Sequence, residues 1–213
     1  MASRGRRLPR IIAAVAVGGL LASACASTGY HYVKNSEDRN YFKVPDEWKL
    51  FDEDAVIRGL DLSPREADVE RETAWRVAFD GSPKPVLEHL DQLFPKHPVG
   101  RALVVGLDQE SSDTISIGGM RNLFFDIDGA IQQDTGTLIF YEPIELDGGF
   151  RGVHLVAEIN DPESGRTLVF NQKAVLDQST SNLYALVISC EATCYDKSES
   201  KIDQIVDSWT VEE

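Results

Sequence analysis

Gly152-Val153-His154-Leu155-Val156-Ala157-Glu158-Ile159, then Arg166 to Leu176, then Leu183-Tyr184-Ala185-Leu186-Val187-Ile188-Ser189: this stretch decides the fold. In the first run Val153, Leu155, Ala157 and Ile159 share one face while His154 and Glu158 share the other, the alternation of a strand with one buried side. Asn160-Asp161-Pro162-Glu163-Ser164-Gly165 is turn chemistry, with Pro presetting φ and Gly admitting φ > 0. The second run alternates again, and its polar middle, Asn171-Gln172-Lys173, predicts a strand wet on one side. Asp177 to Asn182 makes another turn. Leu183 to Ser189 is apolar on both faces and reads as the most buried of the three. Connections this short demand antiparallel neighbours, because a parallel crossover needs a dozen or more residues.

The N-terminus reads as a targeting segment. Arg4, Arg6, Arg7 and Arg10 precede the apolar run Ile11 to Leu21, too short to span about 30 Å of hydrocarbon as a helix. Leu21-Ala22-Ser23-Ala24 is a small-residue cleavage zone, and Cys25 follows it. The arrangement resembles a bacterial lipobox. The resemblance implies cleavage between Ala24 and Cys25, diacylglycerol on the Cys25 thiol and acylation of the new amine. Each buried CH₂ contributes about 0.8 kcal/mol, so two or three chains make a lasting anchor. The alternative is an ordinary signal peptide with a spare cysteine. Residues 1–24 are therefore expected to be a lipoprotein signal peptide, 25–39 a lipidated N-terminus with a flexible tether, and 40–213 a single globular domain.

Charge narrows the partners. Loss of the four leader arginines takes the basic count from 21 to 17 against 35 acidic residues. So acidic a chain argues against nucleic acid and against lying flat on anionic lipid.

Between the tether and the three strands, Tyr41 to Leu50 reads as strand, Pro-Asp turn, strand. Ser63-Pro64-Arg65-Glu66 is a helix start, with an N-cap Ser, Pro at the first position and Glu at the third. Trp75, Val77 and Phe79 alternate. Val86, Leu87, Leu90, Leu93 and Phe94 predict a helix ended by Pro95 and Pro98. Arg101 to Leu107 reads as strand. Ile115 to Phe124 suggests a further helix, weakened by Gly118-Gly119 and ended at Asp126 to Gly129. Thr137 to Leu146 is another strand. Asp196 to Glu199 can cap a last helix with Ile202, Ile205, Val206 and Trp209 on its buried stripe, before a short strand at Thr210-Val211.

Three motifs occur together: Phe42-Lys43-Val44-Pro45-x-x-Trp48, Gly149-Phe150-Arg151-Gly152, and Ile202-Asp203-x-Ile205-Val206-x-Ser208-Trp209-Thr210-Val211. The set resembles the LpqN-type lipoproteins of actinobacteria, a family similar in fold to PsbP of photosystem II and to a nuclear Ran-release factor. The resemblance spans most of residues 40–211. It implies an α+β fold in which a central antiparallel sheet is flanked by helices on both faces, a PsbP-like α/β/α sandwich. It carries over no catalytic residue.

Candidate chemistry is sparse. In a strand, Cys190 and Cys194 would have Cα atoms about 13 Å apart, beyond the roughly 4.4–6.8 Å of a disulfide. A bridge thus requires Glu191-Ala192-Thr193 to turn, and oxidation is favoured outside the cytoplasm. A metal needs two further ligands, and His31, His89, His97 and His154 are far away in sequence. Asp126-x-Asp128-Gly129 is only a fragment of a calcium loop. His154 has no nucleophile placed beside it by any motif. Trp48, Trp75 and Trp209 read as core more readily than as a groove. No cofactor is expected. The expected function is a non-catalytic, lipid-anchored binding or assembly protein on the extracytoplasmic face of the cell membrane, with an envelope protein as partner. A carrier of an apolar small molecule or lipid is the alternative, and a hydrolytic enzyme comes last.

Overall fold

A computed structural model describes residues 29–212. Its elements in chain order are β1 Tyr30–Asn35, β2 Asn40–Pro45, β3 Lys49–Phe51, α1 Glu53–Gly59, α2 Pro64–Thr73, β4 Ala74–Asp80, β5 Val99–Gly106, α3 Gln109–Thr114, α4 Ile127–Gln132, β6 Gly136–Leu146, β7 Phe150–Asp161, β8 Arg166–Leu176, β9 Asn182–Glu191, α5 Ala192–Ser208 and β10 Thr210–Val211. Seven strands form an antiparallel sheet in the order β3-β4-β5-β9-β8-β7-β6. The meander β7-β8-β9 is its spine. The fold is α+β, with helices on both faces of this sheet.

Period-two alternation sorts the core into two layers. Tyr184, Leu186, Ile188 and Cys190 of β9 face α5, where they meet Ile202, Ile205, Val206 and Trp209. Leu183, Ala185 and Val187 face the other way, with Val153, Leu155 and Phe170, onto Phe94, Met120 and Ile127. Gly152 sits where β7 and β8 approach too closely for any side chain, since a Cβ there would lie 1.8 Å from the Ala174 carbonyl oxygen. The β6–β7 turn uses positive φ at Gly148 (81°) and Gly149 (76°), open to glycine at no steric cost.

Several expectations are corrected. The folded part begins at Tyr30 and not near Asn40: β1 pairs antiparallel with β2 along its whole length, and β10 joins β2 from the other side, so a second, three-stranded sheet exists. Residues 30–35 are thus strand and not tether. Strand β8 is buried on both faces, with Asn171 2% and Gln172 0% exposed. Partners inside the protein take up most of its polar groups: Gln172 Nε2 donates to the Met120 carbonyl at 2.7 Å while its Oε1 is buried without a partner, and Asn171 sits in a side-chain network beneath α5.

The apolar spacing at 86–94 yields only a short 3₁₀ turn, Leu87–Asp91, leaving Val86 42% and Leu93 62% exposed. Prolines at 83, 85, 95 and 98 remove donors, and the Asp80 carboxylate takes the Val86 N–H. Residues 115–124 likewise hold only a 3₁₀ turn, Gly119–Asn122. Asp126 starts a helix instead of ending one, its carboxylate accepting the Gly129 N–H as the N-cap of α4. Helix α5 begins at Ala192, one turn before the predicted cap. Helix α1, capped by Asp52, was not foreseen. Ser63 and Glu66 form the predicted capping box of α2, none of whose residues is buried.

Candidate functional site

Three tight connections meet at one pole of the domain. In the β1–β2 turn, Asn35 Oδ1 accepts the N–H groups of Glu37 and Asp38, and Asn35 Nδ2 donates to Asp38 Oδ2. Arg39 closes the turn with φ +49°, and its carbonyl accepts the Glu212 N–H at 3.1 Å. In the β8–β9 turn, Asp177 accepts from Ser181 N at 2.7 Å and Asn182 Nδ2 at 3.0 Å. The third connection is the Gly148-Gly149 turn. Between them opens a cleft of about 570 Å³. Phe150 and Tyr184 form its floor, their rings edge to face at 5.6 Å and 82°. Glu37, Asp38, Asp177 and Glu212 line it together with Arg39. The Tyr184 hydroxyl is pushed up to about 12 by burial, with Asp38 and Asp177 adding to the shift. It stays protonated, a donor and acceptor among carboxylates.

A second cluster lies beneath α5. His154 Nε2 is 2.9 Å from Asn171 Oδ1, and Asn171 Nδ2 donates to the Tyr195 hydroxyl at 3.3 Å. Burial pushes the His154 imidazole below its ordinary range; Lys173 adds to this, while the Asn171 bond, Asp207 and Glu142 oppose it. Phe140 of the edge strand β6 packs edge-on against the ring at 4.9 Å. The network satisfies the Asn171 amide that β8 buries, as buried polar groups ordinarily are.

Asp80, Ser82 and His89 form a third group. His89 Nδ1 lies 2.7 Å from Asp80 Oδ2 and 3.4 Å from Ser82 Oγ, so the serine and the carboxylate share one ring nitrogen. A nucleophile triad needs them on opposite nitrogens. Asp80 also accepts from Ser82 N and Val86 N, and its work is to hold the loop after β4.

The site residues named from sequence are scattered. Cys190, at the end of β9, and Cys194, in the first turn of α5, are joined as a disulfide with Cα atoms 5.9 Å apart. Glu191-Ala192-Thr193 does turn, as the start of a helix. Ala24 and Cys25 lie outside the described residues. Among the described residues no three His, Cys, Asp or Glu side chains gather as a metal site. Asp128 is engaged by Arg121 and Asn122 instead, and the Asn122 amide holds its carboxyl below the usual range. Trp48 and Trp209 are buried in the α5-facing core, Trp75 packs against it, and Trp48 stacks on Phe79 at 6.1 Å. A smaller, half-open groove of about 290 Å³ lies against β4 and β5, lined by Leu60, Leu87, Leu90 and Arg101. The cleft itself escaped sequence reading. Its residues come from four separate segments, each of which reads alone as ordinary turn or strand-end chemistry.

The sequence matches no family model and no curated protein. Its fold is similar to solved structures at low identity. Cyanobacterial PsbP from Synechocystis is 14% identical, over 90% of this chain and 99% of that one, with a TM-score of 0.49. LpqN of Mycobacterium tuberculosis, involved in cell envelope biogenesis, is 14% identical, over 86% and 91%, with a TM-score of 0.44. The Ran-binding protein Mog1p of Saccharomyces cerevisiae is 10% identical, over 85% and 95%, with a TM-score of 0.42. No residue role is carried over from these likenesses.

Proposed function

We propose that this chain is a non-catalytic binding or accessory protein of the LpqN type, held at the extracytoplasmic face of the cell membrane by lipid on Cys25. The observation that carries the reading is the place where folding starts. Only Ala26 to Gly29 separate Cys25 from β1. Four residues reach about 15 Å at full extension. Gly29 is already tied in, its carbonyl accepting the Asp46 N–H at 3.0 Å. An anchor on Cys25 would therefore hold the start of β1 within about 15 Å of the anchored residue. The polar clusters at Asp80 and Asn171 hold loops and buried strands together, which supports binding over catalysis.

The carrier reading draws on the groove at Leu60, Leu87 and Leu90, whose roughly 290 Å³ sits at the lower end of small-molecule sites.

The anchor is tested by Cys25→Ala. Wild-type protein is expected in the membrane fraction with acyl chains on its N-terminal peptide by mass spectrometry. The variant is expected in the soluble fraction once its leader has been removed. A leader-free variant that stays on membranes rules the anchor out.

A further inference from the structure

The small sheet turns one side to the core and the other outward. Val33, Asn35, Asn40, Phe42 and Val44 are buried on the inner side. By the alternation of strands, the outer side of β1 and β2 presents Tyr30, Tyr32, Lys34, Tyr41 and Lys43. The register sets Tyr32 opposite Lys43 and Lys34 opposite Tyr41. Each ammonium lies over the facing ring, Lys43 Nζ 5.8 Å from the Tyr32 centroid and Lys34 Nζ 5.9 Å from that of Tyr41. Tyr32 is 60% exposed. Helix α5 extends this face. The Tyr30 hydroxyl donates to Gln204 Oε1 at 2.9 Å, and Ser208 Oγ accepts the Lys43 N–H at 2.9 Å. Lys197 and Lys201 share that stripe of the helix at i, i+4 spacing. The face thus gathers tyrosines and lysines and no acid, in a chain with 35 acidic residues.

We infer that this face lies against the headgroups of the membrane that holds the anchor, with its tyrosine rings at the interface and its ammonium groups on lipid phosphates. The inference rests on the Cys25 anchor proposed above. Its residue types suit that place: a tyrosine ring has an apolar body and a polar tip and settles at headgroup level, and a lysine lays its stem on apolar surface while its head stays wet. The whole-chain charge argues against contact with anionic lipid, but its reach is short. The Debye length at physiological salt is about 8 Å, so the acids on the far side of the domain are screened. Acids do flank the face, in the turns at its two ends. There Asp38 is held by Asn35 at one end, and Glu47 pairs with Lys201 at the other.

Position agrees with this chemistry. Tyr30, the first residue of the face, follows Gly29, and only Ala26 to Gly29 separate it from Cys25. A few lysines hold a free protein to a bilayer only weakly, at about fivefold for each one near an anionic surface. A tether this short makes the contact intramolecular, so a weak face suffices to orient the domain. The small sheet and α5 pack on one side of the seven-stranded sheet, and α4 packs on the other. With the small sheet on the headgroups, the α4 layer faces away from the bilayer.

The test places one thiol-linked fluorophore at either of two exposed positions. Thr210→Cys carries it opposite Tyr41, at the end of the face away from Gly29. Gln132→Cys carries it on α4, beyond the seven-stranded sheet. Cys190 and Cys194 are joined and do not compete for the label. The mature, lipidated protein is reconstituted into vesicles of phosphatidylcholine and phosphatidylglycerol that contain a lipid spin-labelled on its headgroup. Quenching is expected for the label at 210 and not for the label at 132. Lys34→Gln with Lys43→Gln, both at exposed positions, is expected to lower the ratio of docked to undocked protein about 25-fold, fivefold for each ammonium. Omission of phosphatidylglycerol is expected to give a comparable loss. Sedimentation with the vesicles reports the anchor separately. Protein that sediments while its label at 210 stays unquenched overturns the inference, leaves the anchor standing and frees the face for a protein partner. Equal quenching at both positions, or quenching that the lysine changes do not move, overturns it as well. Protein that carries no acyl chain and fails to sediment overturns the anchor and the docked face together.

Discussion

Lys173 Nζ on β8 lies 3.0 Å from the carbonyl oxygen of Val206 in the last turn of α5. The last carbonyls of a helix have no partner within it, and the helix dipole favours a cation there. The sheet thus reaches up to cap the helix that covers it. Burial pushes the Lys173 ammonium down, against the pull of Asp207 and Glu142, which is why one hydrogen bond matters at this position. Lys173→Met keeps the stem and deletes the ammonium. It is expected to lower stability by about 1–2 kcal/mol in urea unfolding, with exchange of the α5 C-terminal amides accelerated first.

The His154 network makes stability depend on pH. Burial places the folded-state pKa of His154 below its unfolded value near 6.5. The unfolded chain therefore binds the proton more readily than the folded one, so stability is full above about pH 6.5 and is lost as pH falls through the folded value. Lys173 faces the ring as a like charge, with Asp207 and Glu142 partly offsetting it. The melting temperature of wild type is expected to fall between pH 7 and pH 5 more steeply than that of His154→Gln. Parallel curves would show that His154 contributes nothing to the slope.

The Cys190–Cys194 bridge ties the most buried strand to the first turn of α5. Both sulfurs sit in the α5-facing core, so the double change to Ala perturbs it less than one to Ser. In the chain-entropy model so small a loop contributes about 2 kcal/mol. The double variant is expected to remain folded with a lowered melting temperature. Titration of the native protein with a thiol reagent under denaturing conditions, before and after reduction, checks the bridge directly.

Gly152 tests the spine of the sheet. A Cβ there meets backbone atoms of Ala174 and Val175, which cannot yield as a flexible side chain would. Gly152→Ala is expected to cost about 3 kcal/mol or more by forcing β7 from β8. A variant as stable as wild type by urea unfolding would mean that the two strands separate there without loss.

The three central strands could be read from sequence because their information is local: residues two apart share a face, so Val153, Leu155 and Ala157 declare their side without reference to the rest of the chain. The capping box at Ser63 and the buried stripe of α5 could be read for the same reason. Where the reading failed, a distant partner outweighed the local pattern. Tyr30 to Asn35 looked like tether until β2 paired with it. Asn171 and Gln172 looked wet until Tyr195 and the Met120 carbonyl supplied their hydrogen bonds. The spacing at 86–94 looked helical, but Asp80 and the prolines took the donors a helix needs. The cleft was decided by tertiary structure alone. Its carboxylates, Arg39 and its two aromatic rings stand in separate segments, and only the stacking of the small sheet beside the large one brings their ends to one pole. A turn is specified by its own residues, whereas the meeting of turns is specified by everything packed between them.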